Sequence, residues 1–289
     1  MRITEFDLYK NLLKEKSGLV ITSDKSYLLD SRLSPVAKKW GYPSLEAMTT
    51  ALQGVPDKDM VEDIVEAMTT NETSFFRDSK PFDLFRDFVL PFTQEKCAAQ
   101  KNIRIWCAAA STGQEPYSLA LILKELAETK MAGWNSNILA TDLSNEVLEQ
   151  AREGIYSQFE VQRGLPIQML MNNFTQIEEK WQINEDIRNM VKYDTFNLLD
   201  NMTSLGTFDI IFCRNVLIYF DEETKAQILQ RMAAQLDKNG ILFLGGAETV
   251  LGITDAFKPV PEKRGIYVQP DHELLNSAGD SGSTTQALA

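Results

Sequence analysis

Apolar residues return every three to four positions through the first ninety or so residues, with Leu8, Leu12 and Leu13 falling on one face of a first helix. Helices are predicted over Glu5–Lys16, Asp24–Trp40, Ser44–Leu52, Asp57–Met68 and Lys80–Phe88. The punctuation agrees: Thr4 and Ser23 stand where N-caps are needed, and Pro43-Ser44 and Pro56-Asp57 open new segments. Residues 1–90 therefore read as a small helical domain with its linker, and the stretch 88–101 leads out of it.

From Asn102 short apolar runs alternate with amphipathic helices, the pattern of an open, mostly parallel sheet covered by helices. Strands are expected at Ile103–Ala108, Ile138–Thr141, Met190–Phe196, Phe208–Cys213, Ile241–Leu244 and Arg264–Val268, with helices over Pro116–Thr129, Asn145–Tyr156 and Glu222–Leu236. Residues 157–189 interrupt the alternation. Helical Pro166–Asn172 is followed there by two period-two runs, Phe174–Ile177 and Lys180–Ile183, which predict a small hairpin. The fold class is α/β, a Rossmann-like order of elements over 91–270 with an inserted β subdomain and the helical domain before it. Residues 271–289, which include Asn276–Ser283, have too little apolar content to fold and are expected to form a flexible tail.

Composition narrows the function classes. A chain of 289 residues, 44% hydrophobic and 24% charged, can bury one full core and a small satellite, since single cores seldom grow past roughly 250 residues. No apolar run approaches the ~20 residues that span a bilayer, and Met1–Asp7 lacks the apolar centre of a signal peptide. A cytoplasmic protein with no direct membrane insertion is expected. Cys97, Cys107 and Cys213 have no metal or redox spacing, and the single histidine, His272, falls in the tail, so neither a zinc site nor a histidine-based nucleophilic triad is expected. The net charge of −12 argues against nucleic acid as a partner. Asp24–Trp40 is a local exception: Lys25, Arg32, Lys38 and Lys39 outnumber Asp24 and Asp30, on what is either a docking surface or a solvated helix face.

Two stretches carry the chemistry. Trp106-Cys107-Ala108-Ala109-Ala110-Ser111-Thr112-Gly113-Gln114-Glu115-Pro116-Tyr117-Ser118 reads as a strand opening through a turn at Gly113 into a helix, where backbone N–H groups can meet a nucleoside or its carboxylate. It is not a GxGxxG turn, and taken alone it is equally a structural connection. Asp142 closes the second strand, where a carboxylate can accept from both hydroxyls of a ribose. Asp142 or Ser144 could instead cap the next helix, with Ser144 the better cap. The other stretch, Asn71-Glu72-Thr73-Ser74-Phe75-Phe76-Arg77-Asp78, lies outside the sheet, and its arginine reads as a pocket residue or as a surface residue paired with Asp78 or a phenylalanine.

Together these stretches resemble the CheR family of chemotaxis-receptor methyltransferases, over about Phe6 to Val268. The resemblance implies a class I methyltransferase sheet with S-adenosyl-L-methionine as cofactor, S-adenosyl-L-homocysteine as product, and no metal. It implies methyl transfer to glutamate side chains on the cytoplasmic domain of bacterial chemoreceptors, forming methyl esters in sensory adaptation. Asn71, Thr73 and Arg77 would fold over the cofactor, with Phe75 and Phe76 fixing their loop. Gly113 and Glu115 would meet its methionine end, Asp142 its ribose, Asn197 and Leu198 its adenine side, and Asn215 and Val216 would lie beside it. Arg77 and Tyr219 are the expected catalytic residues, Tyr219 being equally placed as a packing aromatic. Lys25, Arg32, Lys38 and Lys39 would face the receptor.

A glutamate of reference pKa about 4.3 is ionised at neutral pH and needs no general base. Arg77 is accordingly expected to orient the substrate, with rate coming from alignment. A monomer is expected. Receptor-tethering members of the family carry a glycine-containing extension in the hairpin loop; Phe174–Ile183 has no glycine and turns at Glu178-Glu179, so C-terminal pentapeptide binding is not expected. The alternatives are a non-catalytic scaffold that binds S-adenosylmethionine, or an enzyme acting on a small carboxylate.

Overall fold

The computed structural model describes residues 3–276 and divides the chain into two compact units. The first runs to Asn71 and includes the short segment Tyr219–Thr224. Its helices are α1 (Ile3–Ser17), α2 (Ser26–Lys39), α3 (Leu45–Leu52) and α4 (Lys58–Met68). The expected segment starts at Pro43-Ser44 and Pro56-Asp57 hold, and each is set by a side-chain cap: Ser44 accepts the Ala47 N–H and Asp57 accepts the N–H groups of Asp59 and Met60. Ser23 does not cap: it lies within a 3-10 turn, Ser23–Lys25, ahead of α2, and neither Thr22 nor Lys25 supplies a side-chain cap. Tyr9, Leu13, Leu29, Leu33, Met48 and Ile64 form the buried centre, with Tyr9 Oη 2.9 Å from Thr49 Oγ1. The segment Tyr219–Thr224 joins this unit through the Val20 N–H donating to the Tyr219 carbonyl (2.9 Å) and through Lys14 paired with Asp221 (2.6 Å).

The second unit holds Glu72–Ile218 and the chain from Lys225 onward. It opens with α5 (Lys80–Leu84), which continues through a wider π turn, Phe85–Val89, into α6 (Leu90–Lys96). The helix thus runs past Phe88, where the sequence pattern placed its end. Pro91 has no N–H and its ring crowds the carbonyl four residues back; the widened turn just before it lets the helix absorb the proline instead of breaking.

The alternating region follows as β1 (Asn102–Ala108), α7 (Gln114–Leu126), β2 (Asn135–Asp142), α8 (Asn145–Glu153), β3 (Ile155–Ser157), α9 (Gln158–Gln162), α10 (Ile167–Asn173), β4 (Phe174–Ile177), β5 (Lys180–Ile183), α11 (Glu185–Arg188), β6 (Val191–Thr195), β7 (Phe208–Cys213), α12 (Glu222–Gln235), β8 (Leu236–Leu244), β9 (Lys258–Pro259) and β10 (Ile266–Val268). Seven strands make one sheet in the order β6-β2-β1-β7-β8-β10-β9, parallel from β6 to β8 and antiparallel at β10 and β9. The expected α/β class is observed. Because β2 lies on one side of β1 and β7 on the other, the chain reverses direction of travel at β1, and the crevice beyond the carboxyl ends of these strands is where an open α/β sheet holds its ligand.

The expected hairpin is β4–β5, and β3 joins it to give a three-stranded antiparallel sheet. The sequence pattern had placed β3 at the end of a helix. That helix stops at Glu153 because Gly154 takes a left-handed φ of +62°, ending α8 one residue before β3 begins.

Aromatic stacking anchors the main core, with Phe212 of β7 flat against Phe243 of β8 at 4.2 Å between centroids. Cys107 and Cys213 are buried within it, and burial pushes both thiols up. The expected tail starts later than Pro270. His272 is buried against Phe92, Glu273–Leu275 forms a 3-10 turn whose two leucines pack on the core, and Lys96 pairs with Glu273, so the fold extends to Asn276. The remainder of the expected tail, 277–289, lies outside the described residues.

One backbone approach in this unit is testable. Gly164 adopts φ +95°, and a Cβ there would lie 2.1 Å from the Phe75 carbonyl oxygen. Phe75 is itself held edge-on by Tyr156 and Phe174 at 5.0 and 5.7 Å. Gly164→Ala should cost roughly 1–3 kcal/mol in urea unfolding, from left-handed strain and the displaced carbonyl together.

Candidate functional site

The turn after β1 is shaped by three left-handed residues, Ala109, Ser111 and Gly113, at φ +66°, +51° and +94°. Glycine is required at the third, where a Cβ would come within 2.8 Å of Tyr193 Oη and 3.0 Å of Ala151 Cβ. Beneath the turn, Tyr156 Oη donates to the Thr112 carbonyl (2.8 Å) and Tyr117 Oη to that of Ala151 (2.7 Å). Asp142, at the end of β2, grips the turn from the side: its Oδ2 accepts the Ser111 N–H (2.8 Å) and its Oδ1 the Ser144 N–H (3.1 Å). Ser144 caps α8 by accepting from Val147, which settles the capping alternative in favour of the serine. Helix α7 starts at this turn with no side-chain cap on its N-terminus, leaving first-turn N–H groups for an external acceptor.

A second element is the loop 72–79. Phe76, Asp78 and Ser79 all have positive φ (49°, 69° and 49°), an arrangement that persists only when surrounding contacts impose it. Ser118 Oγ of α7 accepts the Phe76 N–H at 2.9 Å. Arg214, immediately after β7, supplies the rest. Its side chain is 1% exposed; Nη1 donates to Glu115 Oε2 (2.7 Å), and Nη2 to Asp78 Oδ2 (2.7 Å) and the Arg77 carbonyl (3.0 Å). Asp78, considered as a partner for Arg77, is therefore paired with Arg214. Arg77 is half-buried and donates from Nη1 to the Glu72 carbonyl (2.7 Å), while the Glu72 carboxylate holds Arg163 of the inserted subdomain (2.7 Å). Burial pushes the Glu115 carboxyl up from the ordinary range, and Arg214 opposes that shift.

The loop after β7 is organised by Glu248. Its buried carboxylate accepts from the backbone N–H groups of Asn215 (2.8 Å), Val216 (3.0 Å), Leu217 (2.8 Å) and Gly245 (2.7 Å), and Asn215 is held at φ +59°. Beyond β6, the Phe196 N–H donates to the Asp142 carbonyl (2.9 Å), and Asn197 Oδ1 accepts the Leu199 N–H (3.0 Å) beside buried Leu198.

Of the residues expected in a site, Asp142 ends β2, and Gly113, Glu115, Asn197, Leu198, Asn215 and Val216 follow the carboxyl ends of adjacent parallel strands; the loop bearing Thr73 and Arg77 is fastened to that edge through Arg214. Asn71 and Tyr219 belong to the first unit; the Asn71 amide donates to Thr69 Oγ1 (3.2 Å) there. In that unit Lys25 and Lys38 are exposed, whereas Lys39 pairs with Asp63 (2.8 Å). Arg32 has a structural role the charge count did not reveal: its guanidinium donates to the carbonyls of Met68 (2.9 Å) and Thr69 (2.7 Å), closing the end of α4. Arg214 and Glu248 were not among the expected site residues. The available signal was a charge close behind each of two buried strands: Arg214 directly after β7, and Glu248 four residues after the end of β8 at Leu244.

Comparison with known proteins matches residues 4–69 to the all-alpha domain of CheR methyltransferases and 71–266 to the CheR methyltransferase S-adenosylmethionine-binding domain. Similar chains include the chemotaxis protein methyltransferase Cher2 of Pseudomonas putida, 37% identical over 92% of this chain and 97% of that one. The chemotaxis protein methyltransferase of Vibrio parahaemolyticus is 38% identical over 91% and 95%, and that of Escherichia coli 32% over 84% and 83%.

The Glu248 arrangement makes a stability prediction. Glu248→Ala leaves four backbone donors without their acceptor and should cost at least about 3 kcal/mol in urea unfolding. Glu248→Gln, which keeps one acceptor oxygen, should lose less.

Proposed function

The chain belongs to the CheR methyltransferase family, and from that membership we propose that it transfers the methyl group of S-adenosylmethionine to glutamate side chains on the cytoplasmic part of chemoreceptors, in sensory adaptation. The observation that carries the reading is the convergence at the carboxyl edge of the sheet: the loop of Thr73 and Arg77, Glu115 and the Asp142-bound turn are tied together there by Arg214 and by Ser111.

The donor set fits the cofactor. The uncapped start of α7 suits its carboxylate, Glu115 its ammonium, and Asp142, at the carboxyl end of β2 beside the Gly113 turn, its ribose hydroxyls. Asn197 and Leu198 would line the adenine side, and Asn215 and Val216 the space beside it. When bound, the cofactor supplies a methyl group already activated on a sulfonium.

The protein's task is then positional. A glutamate carboxylate, of ordinary pKa about 4.3, is the nucleophile without help from a base. Strong pairing to it would oppose its attack, because carboxylate and sulfonium lose opposite charges as the bond forms. Arg77, already anchored through Nη1 to the Glu72 carbonyl, suits the orienting of an incoming carboxylate. Asn71 and Tyr219 complete the proposed set, Tyr219 with a catalytic role.

Receptor docking is assigned to the basic helix of the first unit, through exposed Lys25 and Lys38 with Lys39 beside them, and Arg32 holds that helix to α4. The domain roles follow, with the division at Asn71 and not at residue 90: the helical unit for docking, and the unit from Glu72 onward for cofactor binding. No described helix is long and apolar enough to cross a membrane; a cytoplasmic monomer is proposed from the family and the substrate. The scaffold alternative is disfavoured by the retained Arg77, Asp142 and Asn215, and the small-carboxylate alternative by the helical domain.

Transfer of labelled methyl to receptor fragments should give label released as methanol by alkali, as an ester requires; base-stable label would exclude a carboxyl acceptor. Arg77→Ala should lower turnover by at least about tenfold while leaving thermal stability nearly unchanged, with partial recovery in Arg77→Lys. Strand β4 ends in the two-residue turn Glu178-Glu179 with no extension beside it. Titration with a receptor C-terminal pentapeptide should therefore show no saturable binding at micromolar concentrations, and a 1:1 isotherm would refute tether-independent recognition.

A further inference from the structure

We propose that Arg214 is a positioning residue for methyl transfer: one buried guanidinium fixes the loop that carries Arg77 and, through its other arm, holds the Glu115 carboxylate in place for the cofactor. The inference rests on the functional reading above and adds to it a residue that touches neither substrate nor cofactor.

Three observations carry it. The guanidinium is divided between two elements that are distant in sequence: Nη1 takes Glu115 at the start of α7, and Nη2 takes both the Arg77 carbonyl and Asp78. The loop it holds is strained, with positive φ at Phe76, Asp78 and Ser79, so it needs an external restraint to keep its shape. The other side-chain restraints on the loop act upstream of Arg77, at Glu72 (Arg163), at Phe75 (Tyr156, Phe174 and Gly164) and at Phe76 (Ser118), while downstream the backbone bonds within itself, the Ser79 N–H donating to the Phe76 carbonyl (2.8 Å) and the Phe82 N–H to the Ser79 carbonyl (2.9 Å). Among the described bonds it is Arg214 that fixes the backbone at Arg77 itself. Phe82 lies against the guanidinium at 5.6 Å and closes the site on that side.

The two arms separate in their consequences. Loss of the loop arm misplaces Arg77, which affects catalysis with bound cofactor. Loss of the other arm leaves a buried carboxylate without its cation. The charged groups acting on Glu115 besides Arg214 are Arg77, which favours the carboxylate, and Glu248, which disfavours it; the neighbouring thiols Cys107 and Cys213 are neutral. Without Arg214 the balance tips toward protonated Glu115, which cannot pair with an ammonium.

The test uses the full-length protein and the variants Asp78→Asn, Arg214→Lys and Arg214→Met, each first checked for a cooperative thermal transition. Asp78→Asn cuts only the charge on the loop arm; turnover on receptor fragments should fall about fivefold or more, with S-adenosylhomocysteine affinity within about twofold of wild type. Arg214→Met should lower turnover further and introduce a new pH dependence of S-adenosylhomocysteine binding. Its Kd should rise as pH falls, approaching tenfold per unit below the shifted Glu115 value, while the wild type stays nearly flat over the same range. Arg214→Lys, with one charge and no planar fork, should restore the flat pH profile and recover turnover only in part.

A purely structural role would lower stability without creating the pH dependence. Folded Arg214→Met with wild-type turnover and a flat binding profile overturns the proposal, as does Asp78→Asn with unchanged turnover. If Arg214→Met does not fold, Arg214→Lys and Asp78→Asn decide it, and wild-type behaviour in both overturns it. Should the wild type itself neither bind S-adenosylhomocysteine nor transfer methyl, the functional reading has failed instead.

Discussion

A guanidinium buried at the carboxyl end of β7 is the interaction on which the arrangement of this site depends. Removing an arginine from water costs several kcal/mol unless its charge is matched, and Arg214 is matched by two carboxylates and a carbonyl, with Nε alone lacking a described partner. The geometry this demands is narrow. Strand β7, the first turn of α7 and the loop after Thr73 must all arrive at one point, and each arrives from a different part of the chain. The cluster therefore converts the topology of the sheet into a fixed relation between Glu115 and Arg77.

The remaining loops at the same edge follow a related logic. Carboxylates from one strand end hold the backbone of another: Asp142 at the end of β2 grips the turn after β1, and Glu248 beyond β8 gathers the N–H groups after β7. Such charge-assisted bonds to backbone N–H groups are stronger than neutral ones. They let residues such as Ser111 and Asn215 stay in left-handed conformations that a free loop would leave. Below them lies an apolar support of buried tyrosines and stacked phenylalanines, rigid enough that the loops cannot relax inward. Polar fastening above and aromatic packing below together preorganise the crevice.

The elements legible from the sequence were those governed by neighbouring residues. The segment starts at Ser44 and Asp57, the period-two runs of β4 and β5, and the apolar run of β7 each carry their cause within a few positions, and the structure has them where the pattern placed them. Strand β3 was not legible, because three residues have no periodicity of their own and become a strand only by pairing with β5. The expected helix end at Phe88 was too early for a similar reason: whether a helix breaks or widens ahead of a proline such as Pro91 is decided by what packs around it.

By itself the sequence determined the α/β order, the helical domain ahead of it and, through its motifs, the family to which the chain belongs. Those properties are sums of local preferences, periodicity, capping and turn formation, that act over a few residues. What only the tertiary structure decided is which charges act together. Arg214 lies 99 residues from Glu115 and 136 from Asp78, and Arg32 reads as a surface cation until the end of α4 is brought beneath it. No local pattern distinguishes a buried, shared guanidinium from a solvated one, because the difference lies in the dielectric and the partners that folding brings to it.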